Sequence, residues 1–209
     1  MLMVNQLIGF GAHDHGVELV DHISLSSDAN VATHTFNSVG LTGKWSHLII
    51  TTSNRNDGSG TRTVSSLTVN GNAATEVVSA QDGTAQVYSN VMIIANDAIN
   101  PDIVVNLSGA STSIRVHVYA VLGLNSTTAV HTNGTGSANP SVLDVNARPG
   151  GIAIAGGCCL NATSCSWSGV TESHDAIQDG DKNFSGGYAL TGTEETPRQI
   201  RATWAGTAN

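Results

Sequence analysis

The stretch SSLTVNGNAATEVVSA, residues 65–80, constrains the fold of this chain more than any other. It reads as strand, tight Asn-Gly turn, strand, with Leu67 and Val69 separated by a polar residue before the pair. Period-2 alternation marks a half-buried strand, and Asn-Gly supplies the positive φ angles that a tight type I′ hairpin requires. The same pattern recurs along the sequence. VATHTF (31–36) places Val31, Thr33 and Thr35 on one face and Ala32, His34 and Phe36 on the other. WSHLIITTS (45–53) and YSNVMIIAN (88–96) carry continuous apolar runs, which suit central strands covered on both faces. In SIRVHVYAVLG (113–123), Ile114, Val116, Val118 and Ala120 are expected inward, and Arg115, His117 and Tyr119 outward. GGIAIAGGCC (150–159) reads as the most buried strand. PRQIRATWAG (197–206) reads as a closing strand, with Ile200, Ala202 and Trp204 on one face.

Turn signals separate these segments: NDGSG (56–60), Asn70-Gly71, DG (82–83), INPD (99–102), NGTGSANP (133–140) and RPGG (148–151). Short strands with regular turn punctuation predict an antiparallel two-sheet β-sandwich, not a βαβ fold. The best helical candidate, HDHGVELVDHIS (13–24), reads equally as a strand from Val17 onward. A chain of 209 residues fits one all-β domain. The expected division is a short N-terminal arm or first strand over 1–16 and a single sandwich over 17–209. No exact internal repeat is visible.

Charge narrows the functional classes. Asp, Glu, Lys and Arg make up 11% of the chain, against about 25% in ordinary soluble domains. Ser, Thr and Asn supply the polarity instead, as suits β-rich surfaces and turns. An exterior so poor in charge predicts association with neighbours. The net charge of −8, from 8 basic and 16 acidic side chains, argues against a nucleic-acid partner, which calls for clustered Lys and Arg. No run approaches the 18 apolar residues of a membrane span. The opening MLMVNQLIGFGAHDHG lacks a basic n-region, so it does not read as a signal peptide. Three clustered cysteines, Cys158, Cys159 and Cys165, form no disulfide framework and fit synthesis in a reducing compartment.

Candidate sites are few. His13 and His15, with Asp14 between them and Asp21 and His22 nearby, sit two apart, so on a strand both imidazoles share a face and suit a transition metal. They are the metal candidates, although no third ligand is identifiable. In QDGDKNFSGG (178–187), Asp179, Asp181 and Asn183 alternate as calcium ligands do. Phe184 and Leu190, however, stand where an EF-hand needs glycine and glutamate. Adjacent Cys158 and Cys159 point to opposite faces of a strand and do not chelate one ion. Gly134-Thr135-Gly136 lies in a Ser/Asn/Gly loop, not before a helix, so it lacks the context of a phosphate cradle. Glu18, Glu76, Glu172, Glu194 and Glu195 could include a glycosidase pair, but a glycosidase cleft calls for aromatic platforms, and aromatic residues are only 4% of the chain. No GxSxG or HExxH motif occurs, and Trp45, Trp167 and Trp204 fall within strand patterns as core. No catalytic residue and no cofactor follow from the sequence, and the expected class is non-enzymatic.

Six segments in order carry a resemblance: ATHTFNSVGLTG into HLIITTSNRND, then SSLTVNGNAATEVVSA, NPDIVVNLSGA, RVHVYAVLGLN and GGIAIAGG. Over residues 30–204 the chain resembles the jelly-roll-type β-sandwich virion proteins of tailed bacteriophages, which serve as capsid decoration, fibre or tail components. The resemblance implies a jelly-roll-like sandwich without a reaction centre, made in the bacterial host cytoplasm and located in the virion. Its implied partners are other capsid or tail proteins and further copies of itself, with a trimer suggested by analogy. A lectin-like, carbohydrate-binding sandwich used in host recognition is the alternative.

Overall fold

The computed structural model describes residues 3–10, 16–56, 60, 62–81, 86–124, 126–136, 139–178, 180–192 and 195–206. The chain is all-β: strands take 69% of it, and no helix forms among the described residues. β1 (Met3–Phe10) comes first. There follow β2 (Glu18–Ser27), β3 (Val31–Phe36), β4 (His47–Arg55), β5 (Val64–Val69), β6 (Asn72–Ala73), β7 (Thr75–Gln81), β8 (Val87–Ala95), β9 (Ile103–Ser111) and β10 (Ser113–Leu122). The second half holds β11 (His131–Gly136), β12 (Ser141–Ala147), β13 (Ile152–Leu160), β14 (Ser164–Ser168), β15 (Thr171–Gln178), β16 (Lys182–Leu190) and β17 (Glu195–Ala205). The segment that the sequence left between helix and strand is therefore β2, and Asn70-Gly71 turns the chain between β5 and β6 with φ of 49° and 79°.

The strands build four antiparallel sheets packed face to face, a layered β-sandwich. The first outer sheet runs β3-β9-β5-β6 and covers the first inner sheet, β2-β10-β4-β8-β7. The second inner sheet runs β11-β1-β13-β16-β15, and the second outer sheet, β12-β17-β14, covers it. Three apolar layers join them. Leu48, Ile50, Met92, Ile94, Ile114, Val116 and Val118 meet Leu67, Val69, Ile103 and Val105 between the first two sheets. Ile49, Val91, Ile93, Tyr119 and Val121 meet Ile152 and Ile154 between the inner sheets. Ala153, Ala155 and Cys159 face Leu143, Val145, Ile200, Ala202 and Trp204 across the last layer.

This layering explains the continuous apolar runs. On β4, Leu48 and Ile50 enter one core while Ile49 enters the next, so no position is left for water. β8 and β13 are covered in the same way, and β13 is buried from Ile152 to Cys159. It also corrects one expectation. Arg115, His117 and Tyr119 do alternate with Ile114, Val116 and Val118, but the face they form lies under the second inner sheet. Tyr119 is 0% and His117 5% exposed. Alternation identifies two faces of a strand; whether the polar one meets solvent depends on what packs there.

The two halves share one connectivity. Counted in chain order with β6 and β7 as one interrupted strand, the first half pairs its strands 1·8, 2·7, 3·6 and 4·5 (β2·β10, β3·β9, β4·β8, β5·β6). It adds 8·3, 7·4 and 6·5 through β10·β4, β9·β5 and β8·β7. In the second half β11·β1, β12·β17 and β13·β16 repeat the first three pairs. β1·β13, β14·β17 and β15·β16 repeat the last three. The eighth position of this second set is filled by β1.

Candidate functional site

A cluster of ionisable side chains, His22, Arg115, His117, Tyr119 and His174, lies between the two inner sheets. β10 brings Arg115, His117 and Tyr119 to this seam, and β2, paired to it, brings His22 opposite Tyr119 and Ser24 opposite His117. β15 of the facing sheet supplies Ser173 and His174. The register Gly156↔Gly186 on β13 and β16 leaves a slot free of side chains in that sheet, and His174 lies over it. A Cβ at Gly186 would come within 2.5 Å of His174 Cε1 and 2.7 Å of the Ala155 carbonyl, while one at Gly156 would meet Thr51 at 3.2 Å. Gly186 thus makes room for His174, whose ring stacks on that of His117 at an interplanar angle of 17°.

Hydrogen bonds tie this cluster to both sheets. The Tyr119 hydroxyl and Ser173 Oγ are 2.8 Å apart, and Ser173 Oγ lies 3.1 Å from His174 Nδ1 and donates to the Gly186 carbonyl at 3.1 Å. Arg115 Nη1 donates to Ser24 Oγ at 3.1 Å. Gln178 Nε2 donates to the Ser27 carbonyl at 3.0 Å and the Ile114 carbonyl at 3.2 Å, joining β15 to β2 and β10. The Nε2 atoms of His117 and His174 are buried without a hydrogen-bond partner.

The electrostatics follow from that enclosure. Burial, then the proximity of His174, Arg115 and His22, holds His117 well below the usual histidine range. Burial, then Arg115 and His22, does the same to His174. Both imidazoles are neutral near pH 7, because a proton placed on either would be desolvated and would face basic neighbours. Burial also pushes the Tyr119 hydroxyl upward. A serine beside a histidine resembles half of a nucleophile–base pair, but this one lies within the seam. Surface hollows of about 350, 260 and 390 Å³ open elsewhere, beside Trp45 and Asp97, beside Glu76 and Thr132, and beside Gln81 and Tyr88.

The residues singled out in the sequence are dispersed. His13 and His15 lie outside the described residues, as do Asp14 and Asp179. Among the described residues no group of three or more His, Cys, Asp or Glu is placed to hold a metal ion. Asp181 instead sits 3.5 Å from Arg55 Nη1 and 3.7 Å from Lys182 Nζ, at the turn joining β15 to β16. Glu18 and Glu76 occupy opposite edges of one sheet and Glu172 the edge of another. Glu76 accepts hydrogen bonds from Tyr88 Oη and Asn90 Nδ2, both at 2.9 Å. Gly134-Thr135-Gly136 lies within β11.

Cys158 and Cys159 point to opposite faces, one toward Phe184 and Val87 and the other toward Cys165 and Trp204. None of the three cysteines is in a disulfide and all are buried, and burial pushes the Cys159 and Cys165 thiols up to about 12. Trp45 and Trp204 belong to apolar cores, and half-buried Trp167 donates to Ser185 Oγ at 2.7 Å. The seam histidines escaped detection in the sequence. His117 and His174 are 57 positions apart, and no local spacing links a residue on β10 to one on β15. The one trace of them is a histidine in an otherwise apolar alternation and a Gly-Gly pair in each of β13 and β16.

The chain matches no family model, no curated protein and no solved structure.

Proposed function

We infer that this protein is a non-enzymatic structural component of a bacteriophage particle, bound to capsid or tail as a decoration, cement or fibre element. The observation that carries this reading is the fate of the polar cluster: its imidazoles are stacked and buried between two sheets, and the Tyr119 and Ser173 hydroxyls bond across the seam. Three features support it further. The 1·8, 2·7, 3·6 pairing supports a jelly-roll-like reading, in which one long antiparallel hairpin is rolled on itself as in viral capsid and lectin domains. The outer sheet β3-β9-β5-β6 is rich in Ser, Thr and Asn and carries no Asp, Glu, Lys or Arg, and interface centres are typically depleted of charge. The sheets also expose edge strands, β3, β7, β12 and β15, which can pair with neighbouring chains.

The test is mass spectrometry of purified particles. The chain is expected at a fixed stoichiometry with capsid or tail proteins, and its absence from intact, infective virions overturns the assignment. Glycan binding is the competing role. Trp45 and Trp204 are enclosed, so a sugar platform would have to come from other residues. A glycan array probed with the intact protein separates the two roles, since a strong, saturable glycan signal would favour the lectin reading.

A further inference from the structure

We propose that Asn133 is a site of spontaneous deamidation, closing through Gly134 N to a succinimide that opens to aspartate or isoaspartate, while the other Asn-Gly pair, Asn70-Gly71, is protected by its hydrogen bonds. Both pairs carry the same reactive sequence. The reaction needs the nitrogen of the following residue to reach the side-chain Cγ, and glycine leaves that approach open because it has no Cβ. Which pair reacts is therefore decided by where the fold points each side chain.

At Asn133 the side chain is turned back on the next residue. Gly134 N donates to Asn133 Oδ1 at 2.9 Å, and Asn133 Nδ2 donates to the Asp144 carbonyl at 3.1 Å. An amide oxygen accepts and an amide nitrogen donates, so the two contacts fix which end is which. Cγ is bonded to Oδ1 and so lies beside the nitrogen that attacks it. Reacting atoms held about 3–3.5 Å apart and aligned gain most from proximity, and a turn of Gly134 N from Oδ1 onto Cγ completes the approach. The surroundings allow that turn. β11 is the edge of its sheet and pairs with β1 alone. Asn133 is half-buried and Gly134 exposed, so water and hydroxide reach the site.

Asn70 presents the opposite arrangement. Its Oδ1 accepts from Asp102 N at 2.8 Å, and its own N donates to the Asp102 carbonyl at 2.9 Å. The side chain is held on a neighbouring segment and not on Gly71. The turn itself, with a left-handed φ of 49° at Asn70, is closed by the pairs Thr68↔Ala73 and Val69↔Asn72.

The chemistry needs only water. Hydroxide takes the proton from Gly134 N, the nitrogen's electron pair forms the bond to Cγ, and the Cγ–Nδ2 bond breaks as ammonia leaves with a proton from water. Water then adds to one of the two ring carbonyls and breaks its bond to the ring nitrogen. Opening at Cγ gives aspartate. Opening at the backbone carbonyl gives isoaspartate, which lengthens the main chain of β11 by one carbon. Either product replaces an amide donor with a carboxylate, so the bond to the Asp144 carbonyl is lost. The particle role proposed above neither requires this modification nor fails with it.

The full-length chain is incubated at pH 8 and physiological temperature, natively and in parallel in urea. Samples taken at intervals are digested under mildly acidic conditions and mapped by liquid chromatography and mass spectrometry, which separates aspartate from isoaspartate peptides. In the native chain Asn133 should deamidate at least about tenfold faster than Asn70, since a misplacement of about 1 Å can cost on the order of a hundredfold in rate. In urea the two rates should converge. A native rate at Asn70 equal to or above that at Asn133 overturns the proposal, as does an Asn133 that stays intact while the unfolded chain reacts. A preference for Asn133 that persists undiminished in urea overturns it too, because local sequence and not the fold would then set the rate.

Discussion

Lowering the pH should weaken this fold through the two seam histidines. Folding holds His117 and His174 below the usual histidine range because both are buried and face Arg115 and His22. The unfolded chain releases them to water, where each titrates near 6.5. Below that pH the unfolded state binds protons that the native state refuses, so stability falls as pH falls. Above it neither state binds them and the contribution is flat. Each neutral ring loses about 1.4 kcal/mol per pH unit well below 6.5. At pH 5 that amounts to about 2 kcal/mol each, or about 4 kcal/mol for the pair so long as both stay neutral. Against a total of about 5–15 kcal/mol for a typical domain, that is a large fraction.

The assay is urea unfolding between pH 7.5 and 5, followed by the fluorescence of the buried Trp45 and Trp204. Burial also lowers His34 and His47, so these add to the same trend. The difference between wild type and His117→Gln/His174→Gln isolates the seam. Most of the pH dependence should vanish in the double variant. An unchanged slope in that variant, or a wild-type midpoint flat from pH 7.5 to 5, would refute the reasoning.

Other consequences are read from the same packing. Gly186→Ala should destabilise by about 1–3 kcal/mol, as overpacking does, because its Cβ would strike the His174 ring and the Ala155 carbonyl. Gly192→Ala, which meets nothing within 4 Å, should stay within about 0.5 kcal/mol of wild type in the same melt. The native chain should react with no more than a trace of a thiol-specific disulfide reagent at pH 8 and with three equivalents once denatured, since Cys158, Cys159 and Cys165 are all buried. Rapid labelling of the native protein would show that the thiol-bearing core between β13 and β14 is open.

The local information in this chain is plain. Alternation in VATHTF and SSLTV, the Asn70-Gly71 turn and the apolar runs of residues 48–50 and 91–94 are short-range signals. They predicted strands and double-sided burial where these occur, and a hairpin that forms over two pairs, Thr68↔Ala73 and Val69↔Asn72, before β7 leaves to pair with β8 in the next sheet. A β-strand writes its period into the residues themselves, because adjacent side chains point to opposite faces. The opposed placement of Cys158 and Cys159 follows from the same rule.

Pairing between distant strands is not written that way. The backbone ladder is nearly indifferent to side-chain identity. Two halves can therefore share one connectivity while IAIAGGCCL and HLIITTSNR, the third strands of each, share no visible repeat. The stacking of one inner sheet on the other then turned an apparent solvent face of β10 into a seam. It brought His117 and His174 together across 57 positions and placed residues 3–10 inside a sheet whose other strands lie beyond residue 130. Composition and periodicity specify what each strand can bury, and only the packed layers determine which partner buries it.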